Sequence, residues 1–397
     1  MMNKVITKEG LTMIKRVYFD NSATTRMDDR VLEAMFPFFC EKFGNPSSLH
    51  SYGRDADDAI EEAREIISES LGATSREIVF TSSGTESDNL AIKGVAFANR
   101  KQGNHIITSS IEHHAVLHTC QYLESCGFRI TYLPVDNNGL VCEEHLKEAI
   151  DRETILVSIM AANNEIGTIQ KIRAFGEIAH DYGALFHTDA VQAFLKIPLN
   201  VQRDEFDLLS ISSHKIHGPK GVGALMVKKG VKIEPLLHGG GHERGLRSST
   251  ENVSGIVGFG KAVEIGLESM SADVEKMKSM RERIIEGVLS EVSGSHLNGH
   301  RYKRLCNNVN LRFDFTEGEA LVLELDAKGI ATSTGSACST RDPRPSHVLI
   351  ACGLRPEEAR SSLRVSLSRM NTHDEVDYFL EVMPEVVEKV RMVSHAK

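Results

Sequence analysis

Two side chains in this chain are suited to carbonyl and heterocycle chemistry, and both stand where an apolar run ends. Asp189 follows ALFHT and Lys215 follows FDLLSISSH. A carboxylate or an ammonium at the end of a buried strand is costly to desolvate unless it is paired or used. Each alone reads as an ordinary surface ion pair. Together they describe one kind of site, because a lysine amine forms Schiff bases with carbonyls. A carboxylate beside a pyridine nitrogen keeps that nitrogen protonated, so that the ring accepts electrons. After EIVF comes TSSGTESDNLAIKG, small residues and then Thr85 and Glu86 opening a helical pattern. Unpaired backbone N–H groups at such a start face an anion. The loop has neither the Walker A nor the G-x-G-x-x-G spacing, and by itself it reads as a capped helix. Beside Lys215 and Asp189 it reads as a phosphate cradle, and the implied cofactor is pyridoxal 5'-phosphate.

Other polar residues also follow apolar runs: Glu112, His113 and His114 after HIITSSI, and Asn163, Asn164 and Glu165 after TILVSIM. These fit caps and turns as well as a site. Gln192 lies three residues beyond Asp189. Cys338 sits in ATSTGSACSTRDPRP, a run of small, polar and proline residues that reads as a loop, where exposed reactive groups are carried. Cys352, in VLIACGL, sits in the apolar setting of a structural thiol. Arg341 or Arg344 would lower the pKa of Cys338 on close approach. From the residues alone, catalysis and a plain loop thiol both stay open.

The elements that position these residues alternate. Seven short β-branched runs (77–83, 105–111, 129–135, 154–160, 184–190, 206–213 and 223–227) are separated by amphipathic stretches. In one of these stretches Ile60, Ala63, Ile67 and Leu71 mark a single buried face. Such alternation predicts an α/β fold, a mainly parallel seven-stranded sheet between helices, whose ligands bind beyond the carboxyl ends of the strands. From about residue 262 a long charged helix pattern, NNVNLRFDF, LRVSLSRM and a final amphipathic segment read as a smaller α+β unit. The expected division is a large cofactor-binding domain over 30–262, and a small domain over 1–29 and 263–397 that carries the Cys338 loop. No Pro-, Gly- or Ser-rich linker separates them, so they are expected to pack together.

Composition narrows the class. The 397 residues are 41% hydrophobic and 25% charged, those of an ordinary folded protein, and the formal charge of -9 provides no general basic field for nucleic acid or an anionic membrane. No run approaches a membrane span, and the N-terminus lacks a signal-peptide core, so the expected compartment is the cytoplasm. Seven cysteines without a C-x-x-C pair suit neither a disulfide framework nor a zinc ribbon, and no metal is expected.

Ordered motifs run nearly the whole length: VYFDNSATT, FGNPSSLHSYGR, TSSGTESDNLAIKG, EHHAV, NNEIGTIQ, HTDAVQ, SSHKIHGPKG, GGGHERGLRSST, STGSACST and LRVSLSRMNT. In these the chain resembles the cysteine desulfurases of the NifS/IscS type, class V of the fold-type I pyridoxal-phosphate enzymes. The resemblance implies that Lys215 forms the Schiff base, that Asp189 pairs with the pyridine nitrogen, and that Gln192 contacts the ring hydroxyl. It implies that His113 stacks on the ring and assists proton transfer. Gly84, Thr85, Ser212 and His214 would bind phosphate, with Thr250 reaching across from the second subunit of a homodimer. Arg364 and Asn164 would bind the substrate carboxylate, and Cys338 would be the nucleophile. The implied activity converts L-cysteine to L-alanine and leaves sulfur as an enzyme persulfide, for an acceptor such as an iron-sulfur scaffold or for tRNA thiolation. A selenocysteine lyase or a class V aminotransferase on the same scaffold is the alternative.

Overall fold

Each of the seven apolar runs contains one strand of a single sheet in the computed structural model of the chain, which describes residues 4–7, 10–13, 16–335 and 344–395. The strands are β1 Ile78–Thr81, β2 His105–Ser109, β3 Arg129–Leu133, β4 Thr154–Ser158, β5 Leu185–Asp189, β6 Leu208–Ser212 and β7 Gly223–Val227. Their order across the sheet is β1-β7-β6-β5-β4-β2-β3. All neighbouring pairs are parallel except those made by β7, which runs antiparallel to both β1 and β6. Every residue of β1, β2, β4, β6 and β7 is buried. Helices on both faces explain why these strands read as continuous apolar runs without alternation.

Helix α1 (Ser51–Ser70) buries Ile60, Ala63 and Ile67, and Leu71 caps its end, so the face read from periodicity is the face that packs. Helix α2 (Gly84–Asn99) follows β1 and α3 (His114–Ser125) follows β2. The 39-residue helix α4 (Val253–Glu291) serves two cores. Ile256, Phe259, Ala262 and Val263 pack with the large sheet. Met277, Met280, Ile284 and Val288 pack with a three-stranded antiparallel sheet of β8 (Ser295–Leu297), β9 (Asn308–Phe313) and β10 (Ser362–Ser366). Helix α5 (His373–His395) closes that second core. The expected boundary at 262/263 thus falls inside one continuous helix, which carries the chain from one core to the other without a tether.

One buried ion pair fixes the glycine-rich stretch after β7. Glu243 and Arg244 adopt φ of 49° and 57°, a left-handed conformation unfavourable for residues with a Cβ. The Glu243 carboxylate accepts from Arg64 Nη1 at 2.7 Å and Nη2 at 2.9 Å, and from the Phe80 backbone N–H at 2.9 Å. Arg64 and Glu243 are both almost fully buried, so removing one strands the charge of the other. Glu243→Ala is expected to cost about 3–5 kcal/mol of unfolding free energy in chemical denaturation. A loss below about 1 kcal/mol would mean that the stretch is held by its other contacts.

Candidate functional site

A cavity of about 170 Å³ opens where β1, β5 and β6 end. Its walls contain ten of the residues picked from sequence: Gly84, Thr85, His113, Asn164, Asp189, Gln192, Ser212, His214, Lys215 and Arg364. Parallel strands bring this about, since residues 84, 113, 164, 189 and 212 each lie at or just after a carboxyl end on one edge of the sheet. The other walls are Ser22, Ala23, Ser83, Asp88, Met160, Ala162 and Val191.

The phosphate end is built from α2 and β6. Ser83 caps α2, its Oγ accepting from the Glu86 N–H at 3.2 Å, so the helix N-terminus points its remaining donors toward the cavity. A Cβ added at Gly84 would approach Val191 Cγ2 to 2.6 Å, so only glycine permits this close approach. Ser212 Oγ is buried without a hydrogen-bond partner. An orphaned hydroxyl beside a helix N-terminus fits a phosphate group. His214 Nδ1 lies 3.1 Å from Thr24 Oγ1, and burial with the nearby lysine charges pushes this imidazole down to about 4.

Asp189 is 6% exposed and accepts from the Val191 N–H at 2.9 Å. Burial pushes its pKa up to about 6, while that N–H and Lys215 pull the other way. Lys215, in the turn following β6, donates from Nζ to the carbonyls of Ser22 at 2.5 Å and Ala23 at 2.8 Å. Gln192 Nε2 donates to the same Ser22 carbonyl at 2.9 Å. The N-terminal loop is therefore the shelf on which both side chains rest. His113 caps α3, Nδ1 accepting from the Ala115 N–H at 3.1 Å, which assigns its proton to Nε2. Burial and Lys215 push its pKa down to about 4, so the ring is neutral at pH 7.

The far wall comes from the second sheet. Arg364, on β10, is 1% exposed, with Nη2 2.9 Å from Asp20 Oδ1 and Nη1 3.2 Å from the Asn164 carbonyl. Its Nε has no partner. A buried guanidinium with an unpartnered donor in the wall of a cavity suits a carboxylate ligand. Thr250 is exposed and does not line this chain's cavity, and Cys338 lies outside the described residues.

Sequence reading missed Asp88, although it stands one helical turn beyond Gly84 and Thr85, a spacing that marks a shared face. It also missed Ser22 and Ala23, which reach Lys215 from about 190 positions away and leave no local signal.

A mostly parallel sheet with a lysine, an acid and an anion-ready helix start at its carboxyl edge defines a protein of the fold-type I pyridoxal-phosphate class. The family model for aminotransferase class-V matches residues 17–379. A relative from Methanosarcina thermophila, "Cysteine desulfurase IscS", is 56% identical over 380 residues, 96% of this chain and 94% of its own. A solved "NifS-like protein" superposes with a TM-score of 0.89 at 44% identity, covering 94% of this chain and 100% of that one. The structure titled "SspA in complex with cysteine" gives 0.81 at 40%, covering 90% and 100%. The chain belongs to the class-V aminotransferase family and, within it, to the pyridoxal-phosphate-dependent cysteine desulfurases.

Two outcomes follow from the geometry. Ser212→Ala removes an unsatisfied buried hydroxyl, so the cofactor-free protein should be stabilised by up to about 1 kcal/mol in urea unfolding while cofactor retention weakens roughly tenfold. Equal losses of both would assign Ser212 to structure. Glu112, fully buried, accepts from Ser109 Oγ at 2.6 Å and from the Met160 N–H, yet burial pushes its pKa from 4.5 up to about 8. A raised folded-state pKa gives stability that is complete below pH 4.5 and lost as pH climbs through 8. Glu112→Gln should therefore lose less stability than wild type across that window in pH-dependent denaturation.

Proposed function

We propose that this chain, as a homodimer, takes sulfur from L-cysteine, releases L-alanine and leaves the sulfur as a persulfide on Cys338. The observation that carries this reading is Arg364, a buried guanidinium with an unpartnered Nε, lining the same cavity as Lys215 and Asp189, a place for an amino acid's carboxylate beside a reactive amine. When bound, pyridoxal 5'-phosphate supplies an electron sink for the pair left as the substrate Cα proton departs.

The chain's residues divide the remaining work. Gly84, Thr85, Ser212 and His214 hold phosphate, and the partner subunit's Thr250 completes the set. Gln192 contacts the ring hydroxyl, and Asp189 keeps the ring nitrogen protonated. Lys215 is the anchoring amine and, once displaced by substrate, the base that takes the Cα proton. Neutral His113 stacks over the ring and passes a proton from Nε2. Arg364 and Asn164 orient the substrate carboxylate. The Cys338 thiolate attacks the substrate sulfur, the Cβ–sulfur bond breaks with its electrons left on Cβ, the proton from the substrate thiol goes to Cβ, and Lys215 returns its proton to Cα to give alanine. Within this reading the large unit spans 30–262 and the small one 1–29 and 263–397, a division supported by the separate apolar cores. The persulfide passes to an acceptor protein such as an iron-sulfur scaffold, in the cytoplasm. Among the described residues no helix is long and apolar enough to cross a membrane.

Lys215→Ala should abolish the visible absorbance of the covalently held cofactor and all turnover. Cys338→Ser should retain the cofactor and its first spectral response to cysteine, yet release no alanine, because a serine hydroxyl stays protonated at neutral pH. Mass spectrometry after cysteine treatment should place the extra sulfur on Cys338. A persulfide on any other cysteine, or alanine formed by Cys338→Ser at near wild-type rate, excludes the mechanism.

A further inference from the structure

Asp88 is 1% exposed, lies on α2, and faces the cavity floor beside Asp189. One of its oxygens, Oδ1, has no hydrogen-bond partner, and the nearest ring nitrogen, His187 Nε2, is 3.7 Å away, too far for a bond. The Ser210 hydroxyl favours the charged form of Asp88. Ser210 stands directly across from Asp189 in the β5–β6 ladder. Ser210 Oγ also lies 3.0 Å from His187 Nε2, and His187 Nδ1 lies 2.8 Å from Ser158 Oγ. His187 and Asp189, two apart on β5, share one face of the sheet with Ser210 and Ser212 on β6, so a polar ladder runs under the cavity.

We propose that Asp88 is a positioning residue that works as an un-ionised carboxylic acid beside this ladder, and leaves Asp189 as the anion at the cavity floor. Two buried carboxylates in one site cannot both ionise without a second cation. The titratable groups facing Asp88 are Asp189 and His187 from β5 and Glu112 from the turn after β2; Lys215 acts on Asp189. His187 is fully buried and driven to about 3, hence neutral, and Glu112, itself pushed toward its neutral form, offers no positive charge. Burial and Asp189 both favour the protonated form of Asp88, and the Ser210 hydroxyl opposes them more weakly. Asp189, by contrast, has the Val191 N–H and Lys215 on its side. The proton of the pair therefore resides on Asp88, and Asp189 stays charged toward the ring nitrogen of the cofactor, an inference that rests on the desulfurase reading above.

Infrared spectroscopy of the holoenzyme at pH 7 tests this. The carbonyl stretch of an un-ionised carboxylic acid should be present in wild type, lost in Asp88→Asn, kept in Glu112→Gln apart from that residue's own band, and shifted in Ser210→Ala. Asn imitates the neutral acid in shape, so Asp88→Asn should lose no more than about threefold in turnover, whereas Asp88→Ala should lose at least roughly tenfold and shift the pH at which the bound cofactor's visible absorbance titrates. If Asp88→Asn removes no acid band, or falls as far as Asp88→Ala, the inference is overturned. A missing band with intact sulfur release sinks the role of Asp88 alone. A present band in an enzyme that releases no sulfur from cysteine sinks the desulfurase reading instead.

Discussion

One buried negative charge constrains the rest of the structure. Asp189 closes β5 almost out of contact with water, with one backbone N–H as its direct donor. An anion in that setting requires a nearby positive charge, and it cannot tolerate a second anion. Both conditions are visible around it. Lys215 enters the same cavity from the turn after β6, and the two other carboxyls nearby, Asp88 and Glu112, are pushed toward their neutral forms by burial and by Asp189 itself. The histidines of the site, His113, His187 and His214, are held neutral by the same desolvation, so none competes with Lys215 for the charge.

That arrangement depends on topology more than on any single contact. Parallel strands put their carboxyl ends on one edge, so residues far apart in sequence become neighbours at a cost already met by the sheet's core. The antiparallel β7 contributes differently. It joins β6 to β1, the strand that leads into α2, and so sets the phosphate end of the cavity against Ser212 and Lys215. A Cβ at Gly223, where β7 begins, would meet the Ser83 backbone at 2.7 Å, which shows how closely the two pieces approach.

Strands β1, β2, β4, β6 and β7 were legible because each is buried along its length and reads as an apolar run ended by polar residues; β3, only partly buried at the sheet's edge, was legible from its β-branched and aromatic residues. Lys215 and Asp189 were legible as polar residues that end such apolar runs. Shorter elements were not. β8 has three half-buried residues and no pattern of its own, since it pairs with β9 along one edge. The start of α4 lies eight residues before the charged pattern that announced it, because Val253–Gly260 packs against α1 on small side chains, with Gly260 against Ala63. The carbonyls of Ser22 and Ala23 were invisible for a more general reason. Backbone acceptors carry no residue-type signal, so a lysine's backbone partners appear only when the chain has folded back. The roles proposed for Thr250 and Cys338 came from family resemblance, and no local property of their neighbours would have fixed them.

Glu165 shows how the two halves of the chemistry are joined. Its neighbour Asn164 lines the cavity and lends its carbonyl to Arg364, on the side where a substrate carboxylate would lie. Glu165 itself is buried and turned the other way. Its Oε2 accepts from Ser346 Oγ at 2.5 Å and would lie 3.1 Å from a Cβ at Gly335, so it stands between Gly335 and Ser346. Asn163 stiffens the turn by accepting from the N–H groups of both Glu165 and Ile166, and Asn308 and Asn310 of the second sheet donate to the Glu165 carbonyl. Asn164 at the cavity wall and Glu165, which holds Ser346, are therefore carried by one short, hydrogen-bonded turn. The cavity wall beside Arg364 and the anchor of Ser346 share that single support.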